Sequence, residues 1–147
     1  MLEIRTELEI HATPEQIWNI LTDFTTYAEW NPFIRSIQGV AEPDKRLKVS
    51  IQLGEEKPMQ FQPKLLICDT NKELRWSGNV VLPGILDGEH YFQIVPLASA
   101  KVCFIQGEIF SGLLMPFFQR KLENGTKAGF VAMNLALQAR AELTRAN

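Results

Sequence analysis

The sequence contains no uninterrupted apolar run approaching the eighteen or so residues of a membrane-spanning helix. It contains no basic run either. Net charge is −2, with acids and bases interspersed, so the electrostatic footprint of a nucleic-acid binder is missing. Cysteine is scarce: Cys68 and Cys103 stand alone, with no Cys-x-x-Cys pattern and no His/Cys cluster to suggest zinc. Both lie in strand-like runs, where a buried free thiol is the simplest reading. No Ser-His-Asp arrangement, glycine-rich phosphate loop or metal-ligand spacing occurs, so neither a metal nor a cofactor is expected. Internal repeats and low-complexity stretches are also lacking. The N-terminal MLEIRTELEI alternates charged and apolar residues and has no signal-peptide core or cleavage site, which makes the cytoplasm the default location.

What remains is an ordinary globular composition, 46% apolar and 22% charged over 147 residues. That length suits a single domain, residues 1–147, able to build its own core.

Leu2, Ile4, Leu8 and Ile10 alternate with Glu3, Arg5, Glu7 and Glu9, the period of a strand with one wet face. Thr13-Pro14-Glu15-Gln16 predicts a helix start, with Thr13 as N-cap, Pro14 in the first turn and Gln16 completing a capping box. A second short helix through Tyr27 and Trp30 should end at Asn31-Pro32. Six strand-like segments follow, at 33–40, 46–53, 59–68, 73–82, 88–96 and 101–110, joined by short turns that make neighbours antiparallel. From about Met115 to Arg145 the chain is helical in composition, about 45 Å at 1.5 Å per residue. Phe118, Leu122, Met133, Leu137 and Ala141 are candidates for its buried face. Asn124-Gly125 and Gly129 predict a kink and close backbone approach.

The segment ATPEQIWNILTDFTTYAEWNPFI resembles the entry of the START-like (SRPBCC, helix-grip) superfamily, and more narrowly its polyketide cyclase/dehydrase and lipid-transport family. Pro14, Ile17-Trp18, Asp23-Phe24, Tyr27 and Trp30-Asn31-Pro32-Phe33 carry the likeness. ELRWSG (73–78), PGILDGEHYF (83–92), GEIFSGLL (107–114) and the tail FVAMNLALQARAE extend it over nearly the whole chain. The resemblance implies an α+β helix-grip fold: a seven-stranded antiparallel sheet wrapped around a long C-terminal helix, with two short helices after the first strand. It further implies that Cys68 and Cys103, on strands with two others between them, are too far apart to bridge.

In that fold sheet and helix enclose a cavity, which would be lined by apolar groups with a few polar ones to orient a ligand. Strand phase puts Phe61, Trp76, Phe92, Phe104 and Phe110 on the concave side, with Met133 and Leu137 facing them from the helix. Simple packing of these aromatics on one another is the competing reading. His90 shares the phase of Phe92, and Glu108 that of Phe104. On neighbouring strands they are candidates for a general acid/base pair, for ligand orientation, or for a purely structural hydrogen bond. Trp30 is a candidate cap at the cavity mouth or an anchor for the helix pair. The uncharged turn Leu82–Leu86 and the run Leu113–Phe118 are candidate lips. Asp23 reads as a cap, and Asp87 and Glu89 as solvated.

The function this favours is binding or transport of a small hydrophobic ligand of lipid, polyketide or isoprenoid type, by a monomer or homodimer without membrane insertion. A cyclase/dehydratase-type lyase using His90 and Glu108 and a co-chaperone-like interaction module are the alternatives.

Overall fold

The computed structural model describes residues 1–80 and 82–146, with only the backbone for 144–146. Val81, inside the strand expected at 73–82, lies outside the described residues, as does Asn147 at the end of the 1–147 domain.

Strand β1 (Leu2–Ile10) follows its alternation: Ile4 and Ile10 are buried while Glu3, Arg5, Glu7 and Glu9 are exposed. Helix α1 (Pro14–Thr22) starts with a reciprocal capping box. The Gln16 amide donates to Thr13 Oγ1 at 3.1 Å, and the Thr13 amide donates to Gln16 Oε1 at 2.8 Å. Two of the orphan donors of the first turn are thereby satisfied. A 3-10 turn (Phe24–Thr26) leads into α2 (Tyr27–Trp30). Beyond it Asn31 Oδ1 accepts from the amides of Phe33 and Ile34 and turns the chain into the sheet.

The remaining strands are β2 (Ile34–Gln38), β3 (Lys48–Ile51), β4 (Met59–Phe61), β5 (Lys64–Asp69), β6 (Glu73–Val80), β7 (Leu86–Ala98) and β8 (Lys101–Ser111). The architecture is α+β and helix-grip-like, but the single seven-stranded sheet expected from the sequence is not what forms. A five-stranded sheet has the order β1-β8-β7-β6-β5, and a three-stranded sheet the order β2-β3-β4. The expected strand 59–68 is cut at Pro63, which lacks the amide a continuous ladder needs. The two sheets stay joined beside the cut: the Leu47 amide donates to Pro63 O, Leu65 N to Lys45 O and Asp44 N to Leu65 O. A bulge between Leu65 and Ile67 then reverses the side-chain phase. Leu65 is fully buried and Ile67 is exposed, although plain alternation puts both on one face.

The C-terminal helix is α3 (Met115–Lys121), a π turn (Leu122–Thr126) and α4 (Lys127–Ala146), the π turn falling where Asn124-Gly125 predicts a kink. Met133, Leu137 and Ala141 are buried on the concave side together with Phe130, which the sequence reading left out. Phe118 is exposed, because the extra residue of the π turn shifts helical register between α3 and α4. Gly129 is a genuine close approach, since a Cβ there would overlap the Phe33 ring; Gly125 is not crowded. α4 packs on β1 and β8, and α1 on β7 and α4. Cys68 and Cys103 are both free.

Candidate binding chamber

A chamber of about 100 Å³ lies between the two sheets under the π turn. Val49, Ile51, Met59 and Phe61 form the wall from the small sheet. Trp76, Gly78, His90, Glu108 and Phe110 form the wall from the large one. Phe33, Leu122 and Thr126 close the helix side, and Leu86, Asp87 and Gly88 lie towards the turn before β7.

Of the residues singled out in the sequence, Phe61, Trp76, His90, Glu108 and Phe110 therefore meet around one space. Phe92, Phe104, Met133 and Leu137 do not line it. They share the concave face but sit further along it, where the long helix fills the sheet; all four are almost completely buried. Strand phase specifies a face and carries no information about distance along it. Trp30 is also absent from the lining. It packs half-buried on Tyr27, ring centroids 5.2 Å apart, and anchors the helix pair. Phe33, Val49 and Ile51 are lining residues the sequence reading did not name as candidates, and Leu86, the last residue of the expected lip, lines the chamber too. The alternation at 46–53 was the signal for Val49 and Ile51.

The two apolar lips lie side by side, as the amides of Leu113 and Leu114 donate to the carbonyls of Gly84 and Ile85. Leu82, Leu113 and Phe117 are exposed there. Asp87 lies at an exposed turn, where both its carboxylate oxygens accept from the Gly84 amide at 3.0 Å. Glu89 is paired with Arg75 at 2.7 Å, on the opposite face of the sheet from His90. Asp23 Oδ1 accepts from Thr25 Oγ1 beyond the end of α1.

His90 and Glu108 are directly opposite in the antiparallel register of β7 and β8, so their side chains leave the same face. His90 Nδ1 lies 3.1 Å from Glu108 Oε1. The His90 side chain is 1% exposed and that of Glu108 15%, and both border the chamber. The ring sits among aromatics, with centroids 4.7 Å from Phe92, 5.0 Å from Phe130 and 5.3 Å from Trp76. Its other nitrogen, Nε2, lies 3.0 Å from Gln106 Oε1. Gln106 Nε2 donates to Asn134 Oδ1 at 2.8 Å, and Asn134 Nδ2 donates to Thr6 Oγ1 at 2.8 Å. The polar pair is thus the end of a buried network crossing β8, α4 and β1. Gln106 and Asn134 were missed as site residues. Their signal was a polar residue on an apolar phase, Gln106 between Phe104 and Glu108, and Asn134 one turn after Phe130.

Away from the chamber, Tyr27 is fully buried and donates its hydroxyl to the Leu21 carbonyl. Burial, reinforced by Asp23, pushes its phenol well above the ordinary tyrosine range. Among the described residues no cluster of His, Cys, Asp and Glu has metal-ligand geometry, and no helix is long and apolar enough to cross a membrane.

A family model described as polyketide cyclase / dehydrase and lipid transport matches residues 1–142. No curated protein matches the chain significantly. Solved structures do. A START superfamily protein from Mycobacterium smegmatis aligns with a TM-score of 0.77 at 19% identity, covering 97% of this chain and 98% of that one. The Zhui aromatase/cyclase from a Streptomyces species aligns with a TM-score of 0.78 at 13% identity, covering 96% and 93%. A norcoclaurine synthase from Thalictrum flavum aligns with a TM-score of 0.69 at 15% identity, covering 95% and 96%. At these identities the likeness is one of fold.

Proposed function

This chain belongs to the polyketide cyclase / dehydrase and lipid transport family, and on that premise we propose that it binds a small hydrophobic molecule in the chamber between its two sheets. One observation carries the reading: the space of about 100 Å³ is walled mainly by apolar and aromatic side chains, with the buried His90–Glu108 pair at its edge and Asn79, Asp87 and Thr126 as further polar members. That is the composition of a site that holds an apolar body and orients it by a few polar groups. The space is smaller than an engineered apolar cavity of about 150 Å³ that takes up benzene, so a ligand of that size or larger would widen it or project from it. A ligand of lipid, polyketide or isoprenoid type entering here would lie against Trp76, Phe61 and Phe110. The proposal keeps the single-domain, cytoplasmic, monomer-or-homodimer setting expected from the sequence.

A second reading, a cyclase/dehydratase-type enzyme, is favoured by the 3.1 Å contact of His90 with Glu108 beside the chamber. An imidazole and a carboxyl sharing a hydrogen bond are equipped to move one proton on a bound substrate. Binding requires less than this and is the primary proposal.

The test is native mass spectrometry of gently purified protein, with extraction of anything bound, alongside Val49→Phe, which puts a ring into the chamber. A bound hydrophobic compound in the parent protein and an empty, folded variant, less stable by no more than about 3 kcal/mol, are the expected results. Equal occupancy in both proteins would place the ligand elsewhere and sink the proposal.

A further inference from the structure

We infer that Glu108 presents a hydrogen-bond acceptor to the chamber, so that the occupant is an apolar molecule carrying a hydroxyl or N–H donor rather than only a carbonyl. This deepens the proposal above and rests on the chamber being a binding site.

The argument follows hydrogen-bond polarity along the buried network, starting from the one group whose role is fixed. The main-chain carbonyl of Gln106 can only accept. Thr6 Oγ1 lies 3.1 Å from it and gives it its only proton. Thr6 Oγ1 must then accept its remaining bond, which sets the NH₂ of Asn134 towards it at 2.8 Å. Asn134 Oδ1 is thereby turned to Gln106 and accepts from Nε2 at 2.8 Å. Gln106 Oε1 is left facing His90, so His90 Nε2, at 3.0 Å, carries a proton. Reversing one amide alone would set donor against donor or acceptor against acceptor where Gln106 is fully buried and Asn134 nearly so, and reversing both would draw the Thr6 proton to Asn134 and leave Thr6 Oγ1 facing Gln106 O, oxygen to oxygen, at 3.1 Å.

The consequence falls on the far side of the ring. With Nε2 protonated, the contact of Nδ1 with Glu108 Oε1 at 3.1 Å needs one proton, held by the imidazolium or by the carboxyl. The alternative is two buried lone pairs facing each other. Either way that proton lies between Nδ1 and Oε1, and Oε2 has only lone pairs to offer.

Oε2 makes no hydrogen bond among the described residues, and it is not shut away: it lies over Gly88, itself a chamber residue, where a Cβ would strike it. A donor on the ligand would complete it. A ligand that turned a carbonyl to this atom would set oxygen against oxygen and leave Oε2 without a donor.

Two measurements test this. The first reads the ring nitrogens of His90 in the ligand-free protein by two-bond proton–nitrogen correlation, with His11→Gln to assign the second histidine. A protonated Nε2 is expected; a neutral ring bearing its proton on Nδ1 overturns the inference. The second compares binding of 2-naphthol, a donor, and 2-naphthaldehyde, an acceptor only, to the parent protein and to Glu108→Leu. The parent protein should prefer 2-naphthol, and the variant should lose about tenfold in 2-naphthol affinity with 2-naphthaldehyde changed less than twofold. Equal binding of both probes that Glu108→Leu does not separate overturns this inference and leaves the chamber reading intact. Binding of neither probe to the parent removes the chamber reading, and this one with it. Should Glu108→Leu fail to fold, the ratio in the parent protein decides.

Discussion

Replacing Gln106 and Asn134 by leucine, singly and together, reads whether the buried network acts as one unit. Each side chain makes two hydrogen bonds, and they share one, Gln106 Nε2 to Asn134 Oδ1. Gln106→Leu strands His90 Nε2 and Asn134 Oδ1. Asn134→Leu strands Gln106 Nε2 and leaves Thr6 Oγ1 without its donor. Taking about 1.5 kcal/mol for each stranded buried group, either variant costs about 3 kcal/mol. Independent sites would then lose about 6 kcal/mol together. The double variant strands only the two outer groups, because those left by the shared bond are gone, and should lose about 3 kcal/mol. The apolar gain from each leucine enters the single and double variants alike and cancels in the cycle. Urea unfolding of the four proteins, with equal slopes as the check that the unfolded states match, gives the coupling directly. A coupling of about 3 kcal/mol is expected. Additivity within about 0.5 kcal/mol would refute the network as a cooperative unit, and with it the polarity argument that fixes the proton on His90.

Other outcomes follow from packing and titration. Gly129→Ala sets a methyl into the Phe33 ring on the chamber wall, so overpacking should cost about 1–3 kcal/mol and lower ligand affinity together, read by unfolding and by probe binding. Tyr27 has a phenol raised by burial, so the native state holds its proton where the unfolded chain, titrating at about pH 10, has released it. Its contribution is complete below pH 10 and is lost as the pH climbs above that value. Tyr27→Phe should cost about 1 kcal/mol at neutral pH, through loss of the bond to Leu21 O, and should flatten the fall in stability between pH 10 and 11.5.

The sequence made one end of the fold more legible than the other. The capping box at Thr13 and Gln16 is local chemistry, and it appears as read. Alternation located β1, β6, β7 and β8, and therefore placed His90 and Glu108 on one face, because the side-chain period of two survives wherever the ladder is regular. It failed at Pro63 and Leu66, where a missing amide and a bulge break that regularity. The proline was a visible warning, whereas nothing in LLIC announces which residue bulges. Face was legible and depth was not. Phe92 and His90 share a phase and stand one step apart on the same side, both almost completely buried, yet only His90 borders the chamber, a difference in position along the strand that period-two alternation does not encode. Phe118 was misread for a comparable reason, since a π turn cannot be seen in a pattern extrapolated through it.

Cutting the sheet at Pro63 multiplies edges. One continuous sheet has two; the pair of sheets leaves three open, at β1, β2 and β4, because the outer side of β5 is already bonded to 44–47. Each is a row of backbone groups that another chain can extend. β4 is only three residues long, too short to template a lasting addition. β1 is the long one, nine residues, and its exposed positions are Glu3, Arg5, Glu7 and Glu9. A second β1 laid against it would bring carboxylate rows together with little cation to offset them. The alternation that marks the first strand in the sequence thus also guards the protein against stacking edge to edge with its own copies.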